Sequence, residues 1–357
     1  MKKVGILTIN DDGNFGNRLQ NYAVQETLKK KKIDVETINN QKGVIGFNII
    51  KKKIKCFIKL FIPKQTTKRY VNFIQFNKNI KYSKTYIDMN NISNNLNNQY
   101  DCFFTGSDQV WNPTFNRMSD IDFLTFADKN KRNSFSASFG IEKVPQDMEE
   151  YYRKRLNNLN NISVREDAGK KIIEDLTGRT DVEVLIDPTM LLTSKEWDKV
   201  SKKPKQMKIL NGKKYILNYF LGELSAERKN EINRIAREND CEIINILDKK
   251  DPFYVSGPSE FLYLEKHAFL ICTDSFHSSV FAILYNKPFI IFDREDKEEN
   301  MNSRIETLIN KFELKDRKYN GKKITKENIN HDYTKAYEIL IKEREKSNKF
   351  LEKSLSI

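Results

Sequence analysis

Histidine is scarce. In 357 residues there are three, His267, His277 and His331, and none sits at a paired His–carboxylate metal spacing, so no metal site is expected. Cysteine is nearly as rare. Cys56, Cys102, Cys241 and Cys272 form no CxxC pair and mostly lie in apolar runs, which predicts buried free thiols in a reducing cytoplasm rather than a disulfide frame. Long apolar runs are missing too. Phe269–Cys272 and Phe289–Phe292 are strand-sized, far below the roughly 18–20 residues that cross a bilayer. The basic start, Met1-Lys2-Lys3, is followed by a short apolar stretch and then Asn10, Asp11 and Asp12, which reads as a first core strand and not as a secretion signal. No Walker A, HExxH or Gly-x-Ser-x-Gly sequence occurs, and neither does an internal repeat.

Acidic charge is also in deficit: 49 Asp and Glu stand against 63 Lys and Arg, for a formal net charge of +14. Three partners fit such an excess: nucleic acid, an anionic membrane surface, or small anionic substrates. The lysines are spread along the whole chain. No nucleic-acid motif accompanies them, although basic stretches such as 68–86 carry interleaved aromatics, so nucleic acid is not expected.

What is present is alternation. Val4–Ile9 reads as a strand, 10–17 as a loop with two glycines, Leu19–Lys32 as a helix and Asp34–Ile38 as a strand. Asp101–Gly106, Phe135–Phe139 and Ile162–Val164 are further strand candidates, and Val184–Asp187 runs into Pro188. The lysine-rich stretch 194–214 reads as a linker or exposed segment. A second series follows: strands at Tyr215–Phe220, Glu242–Ile246, Phe269–Thr273 and Phe289–Phe292, with helices at Ala226–Glu238, Pro258–His267, Ser278–Tyr285 and Asn302–Phe312. Thr334–Leu355 predicts a long charged helix. The fold class is α/β, with two Rossmann-like, doubly wound domains facing a cleft, divided as 1–175 and 176–357.

Two places could carry chemistry. Thr273-Asp274-Ser275-Phe276-His277-Ser278-Ser279 joins an apolar strand to an apolar helix. Such a turn presents free N–H groups and the positive end of a helix dipole, so Ser275, Ser278, Ser279 and His277 can cradle a phosphate or carboxylate, with the imidazole as acid or donor. Helix capping by Ser275 or Asp274, with His277 filling a crevice, is the plainer alternative. Arg165 follows a short strand, where a charged fork would hold an anion, or would pair with Glu166, Asp167 or Asp187. Asp187 is read as a turn former. Within 44–64, Ile54, Phe57, Ile58 and Phe61 share one helical face and Lys51, Lys52, Lys55 and Lys59 largely another, the pattern of a domain helix or of a surface for anionic lipid.

An ordered set of motifs then resembles the polysaccharide pyruvyl transferase family. It runs through Asn14-Phe15-Gly16-Asn17-Arg18-Leu19-Gln20-Asn21-Tyr22-Ala23, Phe104-Thr105-Gly106-Ser107-Asp108-Gln109-Val110-Trp111-Asn112, Ser134–Phe139, Ser163-Val164-Arg165-Glu166, Asp187-Pro188-Thr189, Thr273–His277 and Met301-Asn302-Ser303-Arg304-Ile305. Ser278 stands where many relatives have glycine. The resemblance implies a fold like the GT-B glycosyltransferases. It implies transfer of a pyruvyl group from phosphoenolpyruvate, as donor substrate and with no further cofactor, to two hydroxyls of a sugar, giving a cyclic ketal in a cell-surface polysaccharide or its lipid-linked precursor. Arg165 and His277 map onto donor-binding and catalytic positions. The loops carrying Asn14, Gly16, Asn17, Gly106, Ser107, Asp108 and Gln109 would hold the sugar acceptor. A cytoplasmic location, with peripheral contact at an anionic inner leaflet, would suit a lipid-linked acceptor. The alternatives are a sugar-nucleotide glycosyltransferase on the same fold and a non-catalytic binder of anionic glycan or membrane. Oligomeric state is left open.

Overall fold

A computed structural model describes residues 1–11, 13–40, 65–93, 95–294, 303–330 and 332–356. The 44–64 stripe, Cys56 and His331 lie outside the described residues. In chain order the elements are β1 (Lys3–Leu7), α1 (Phe15–Lys30), β2 (Asp34–Asn39), α2 (Gln65–Asn77), β3 (Tyr82–Tyr86), β4 (Cys102–Thr105), β5 (Arg132–Ser134), α3 (Glu149–Leu156), β6 (Ser163–Val164), α4 (Asp167–Thr177) and β7 (Glu183–Val184). Then come α5 (Ser194–Asp198), β8 (Lys214–Tyr219), α6 (Ala226–Glu238), β9 (Cys241–Asn245), α7 (Pro258–His267), β10 (Leu270–Thr273), α8 (Phe276–Leu284), β11 (Phe289–Ile291), α9 (Ser303–Lys311), α10 (Lys326–Ile329) and α11 (Thr334–Leu355). Among the described residues, no helix is long and apolar enough to cross a membrane.

By contacts the chain divides into two units. One comprises Met1–Lys59, Asn77–Leu192 and Lys342–Ile357; the other comprises Leu60–Phe76 and Thr193–Ile341. This differs from a single cut at 175/176. The cause is local packing. On α2, Arg69 donates to the carbonyls of Tyr254 (2.9 Å) and Ser256 (3.3 Å), and Asn72 donates to that of Val255 (2.8 Å), so an early helix belongs to the later unit. At the other end, Arg344 on α11 donates to Met190 (2.7 Å) and Leu192 (2.9 Å), which binds the end of the chain into the first unit.

Each unit is built on a parallel sheet, as the alternation predicts. The first has strand order β3-β2-β1-β4-β5, with β6 and β7 forming a further parallel pair; the second has order β11-β10-β8-β9. The strands read as near-continuous apolar runs because both faces are covered: Val4, Ile6, Leu7, Phe103 and Phe104 in one sheet, and Ile216, Leu217, Leu270, Ile271 and Cys272 in the other, are fully buried. Helix α1 begins at Asn14, whose side chain accepts from the backbone N–H of Asn17, and ends on Lys29 and Lys30, which suit its negative pole.

The stretch 194–214 is not a linker. A reciprocal cap between Thr193 and Glu196 starts α5, and Trp197 is fully buried with its ring edge-on to Phe281 at 5.2 Å. The lysines occupy the wet side of a segment anchored by one tryptophan. Phe135–Phe139 is likewise less regular than a strand: β5 ends at Ser134, and Ala137 then makes only isolated bridges to Asp108 and Val164. Of the cysteines described, Cys102 and Cys272 are buried free thiols and Cys241 is half-buried.

Candidate functional site

In an open parallel sheet, ligands bind outside the carboxyl ends of the strands, where the strand order reverses. In the second unit that reversal lies between β8 and β10, and the 273–279 turn leaves from there. The turn is fastened from below. Thr273 Oγ1 donates to the carbonyl of Tyr219 at the end of β8 (2.7 Å) and accepts from the N–H of Ser275 (3.0 Å). Asp274 turns its carboxylate toward the loop after β8, accepting from the N–H groups of Leu221 and Gly222 at 2.7 Å each and pairing with Arg294 at 3.3 Å. Burial raises the pKa of Asp274, against the lowering effect of those N–H groups and of Arg294.

Ser275 then occupies the N-cap position of α8, without a capping bond from its side chain, and the first turn of the helix holds no acidic residue. The hydroxyl of Ser275 is engaged by Tyr219 instead. His277 stands in that first turn, largely buried, with its ring edge-on to Phe276 at 5.3 Å. Ser279 Oγ donates back to the carbonyl of Ser275 (3.1 Å), and Ser278 Oγ donates to Glu265 on α7 (2.6 Å). The expected group of Ser275, His277, Ser278 and Ser279 is therefore one turn of backbone. The positive pole at its helix opening suits an anion, and its imidazole suits proton transfer.

Two cations nearby had not been singled out from sequence. Arg294 follows β11 and reaches Asp274, and Arg304 on α9 is buried with its guanidinium 5.9 Å from the Phe276 ring centroid. Arg304 lies in one of the motifs that carry the resemblance, but a helix-borne arginine far along the chain gives no local signal of its place. Arg69 on α2 also bears on this region, since its charge acts on the Tyr219 phenol.

The reversal in the first unit lies between β1 and β4, and the 10–17 and 106–109 loops leave from there as expected. Arg165 follows β6 and is buried. Its Nη1 donates to Asp187 at 2.6 Å, and its Nη2 lies 3.5 Å from Asp108. Burial opposes its charge, but the three carboxylates Asp187, Asp108 and Glu166 outweigh that and raise its pKa. Each carboxylate is itself held. Asp187 accepts from the N–H (2.9 Å) and hydroxyl (2.6 Å) of Thr189 and from Ser107 (3.2 Å). Asp108 accepts from Asn17 and from the Gln109 N–H (2.8 Å). Glu166 accepts from Ser138 (2.9 Å) and from the N–H groups of Phe139 (2.8 Å) and Gly140 (3.2 Å).

Among the described contacts, one arginine stands against three carboxylates. The pair with Asp187 is one of the two uses the sequence allowed Arg165. Asp187 is both turn former, capping the turn at Pro188–Leu191, and ion-pair partner. Asn17, Ser107, Asp108 and Gln109 are buried in this same network, as is Gly16 in α1, whereas Asn14 is exposed. Gly106 explains the path of the loop. Its φ is +106°, and a Cβ there would stand 2.6 Å from the carbonyl of Phe135.

A sequence model of the polysaccharide pyruvyl transferase family matches residues 14–296. No curated protein matches the chain. Among solved structures, a glycosyltransferase from Rickettsia africae is 12% identical, covering 98% of this chain and 99% of its own, with a TM-score of 0.49. A UDP-N-acetylglucosamine 2-epimerase from Rickettsia bellii is also 12% identical, covering 100% and 97%, at 0.49. The UDP-GlcNAc 2-epimerase of Methanocaldococcus jannaschii, in complex with UDP-GlcNAc and UDP, is 16% identical, covering 95% and 98%, at 0.46. Likenesses of this size carry no functional argument.

Proposed function

Given that the chain belongs to the polysaccharide pyruvyl transferase family, we propose that it transfers a pyruvyl group from phosphoenolpyruvate to two hydroxyls of one sugar, forming a cyclic ketal. The observation that carries this reading is the family match over 14–296, which includes the whole His277 turn.

The donor has a phosphate and a carboxylate. The positive pole at the opening of α8 suits one of them, and Arg304 suits the other. Placing the second cation here departs from the clamp role first expected of Arg165, whose charge is already taken up by Asp187 and Asp108. We assign Arg165 instead to ordering the loops at 106–109 and 187–189. Asn14 and its neighbours are assigned to the acceptor.

His277 is the proton donor. A proton passes from its imidazolium to C3 of the enol, and C2 becomes electrophilic. One sugar hydroxyl bonds to C2 and its proton returns to the imidazole. The second hydroxyl then bonds to C2 as the C2–O bond to phosphate breaks, and its proton leaves with the phosphate. The α8 pole and a nearby cation hold the charge that develops on the leaving group. The balance is one phosphoenolpyruvate and one diol giving one ketal and one phosphate. The acceptor is a sugar unit of a polysaccharide or of its precursor.

The test is direct. Full-length protein is incubated with phosphoenolpyruvate and a panel of glycosides, and phosphate release is followed with product mass. The expected product is heavier than its acceptor by pyruvic acid less one water. Turnover of a UDP-sugar without use of phosphoenolpyruvate would overturn the reading.

A further inference from the structure

Glu265 is an unusual ionisable group among the described residues of the second unit. It lies near the end of α7 and is fully buried. Its one hydrogen bond is the 2.6 Å contact from Ser278 Oγ, and its second carboxyl oxygen has no partner among the described residues. No described cation pairs with it. Apolar side chains fill such positions at lower cost, because a carboxyl removed from water with half its bonds unmade is destabilising. A function is therefore the reason to ask of it, and its one contact supplies a place to look: Ser278 is the residue after His277.

Among the described residues, Tyr215 and Tyr219 on β8 and Tyr285 just after α8 are phenols on which an ionised Glu265 would act electrostatically. None is a cation. Burial, only partly opposed by Ser278, pushes the carboxyl well above its ordinary value near 4.5. A neutral acid differs from a carboxylate at this spot. Both can hold the serine, but a carboxylate would place negative charge against the positive pole of α8 and repel an arriving anion.

We propose that Glu265 is a positioning residue of the His277 turn: through Ser278 it fixes the first turn of α8 while leaving that turn free of negative charge. The inference rests on the reading of this turn as the donor's anion site. It adds a requirement to that reading, namely a buried partner that must stay uncharged. Glu265 does not itself touch the donor.

The experiment is titration calorimetry of the full-length chain with phosphoenolpyruvate, for wild type, Glu265→Gln and Glu265→Leu, at several pH values, with Tm measured alongside. Gln keeps a neutral partner for Ser278, so its affinity should match wild type within about twofold at pH 6. Leu removes the partner, so affinity should fall by about fivefold or more while Tm holds or rises, a split that a merely structural residue would not show. As pH rises, wild type should lose affinity relative to Glu265→Gln. Equal affinity of Glu265→Leu and wild type overturns the proposal. Should Glu265→Leu fail to fold, coincident pH curves for wild type and Glu265→Gln overturn it instead. If wild type binds UDP and not phosphoenolpyruvate, the donor reading fails by itself, and the same three proteins are compared with UDP.

Discussion

The two strand-order reversals carry polar groups of opposite design. In the first unit, Arg165 pairs with Asp187 and lies beside Asp108, and Asn17, Ser107 and Thr189 donate to these buried carboxylates. In the second, a helix opens with no acidic residue in its first turn, a histidine stands there, Arg294 pairs with Asp274 just before it, Arg304 lies at its margin, and buried Glu265 behind it has no cation among the described residues. A network whose charges answer one another is built to hold loops in place. A helix opening with no acidic residue in its first turn suits an anion. The motifs quoted for the family resemblance include both, and sequence treats them alike; the charges around them separate the two.

The largest effect expected is on the chemistry of the second region. His277→Gln should lower phosphate release from phosphoenolpyruvate by about 100- to 10,000-fold, the usual worth of a positioned acid, with Tm unchanged. Turnover near that of wild type would remove the histidine from the mechanism. Next is stability in the first region. Arg165→Met leaves Asp187 and Asp108 buried without their cation, and breaking a buried pair from one side costs about 3–5 kcal/mol. Urea unfolding should show that loss. A variant with wild-type stability and a raised requirement for phosphoenolpyruvate would restore the clamp role and collapse the contrast.

Much of this was legible in the sequence, for reasons that differ by element. Ala226–Glu238, Pro258–His267 and Thr334–Leu355 are helices with the bounds read from periodicity, since caps and a Pro at the first helical position mark their starts. The His277 turn was legible because strand, polar turn and helix are contiguous. Three things were not. Helix α2 belongs to the later unit through Arg69 and Asn72, a long-range docking that no local pattern encodes. Stretch 194–214 reads as a linker until Trp197 is seen buried on Phe281. Glu265 reads as one more charge in an amphipathic helix, and only its burial against Ser278 makes it unusual.

A smaller effect comes from pH. The folded-state pKa of Glu265 is raised above its ordinary value near 4.5, so folding is disfavoured by its ionisation. The sign follows from linkage. Below about pH 4.5 the group is protonated folded and unfolded alike. Above it the unfolded chain ionises first, and the stability this group confers is lost as pH climbs toward the folded pKa. Relative to Glu265→Gln, wild type should therefore weaken as pH rises from 4.5, in parallel urea titrations. A gap that widens toward acid would mean that Glu265 is ionised in the fold, and the second region would then resemble the first.

The smallest effect contrasts the two helix openings themselves. Asn14 caps α1 through its side chain, accepting from Asn17 at 3.2 Å, whereas the Ser275 side chain makes no capping bond to α8. Asn14→Ala should cost about 1 kcal/mol of stability, the ordinary worth of a cap. Ser275→Ala should cost less in unfolding, because no helical N–H loses its partner. In calorimetry the order should reverse, with Ser275→Ala the more harmful to phosphoenolpyruvate affinity, since Ser275 opens the turn proposed to hold the donor's anion. If Ser275→Ala is the more destabilising of the two and leaves affinity intact, then α8 is opened for packing, and its missing cap carries no message about a ligand.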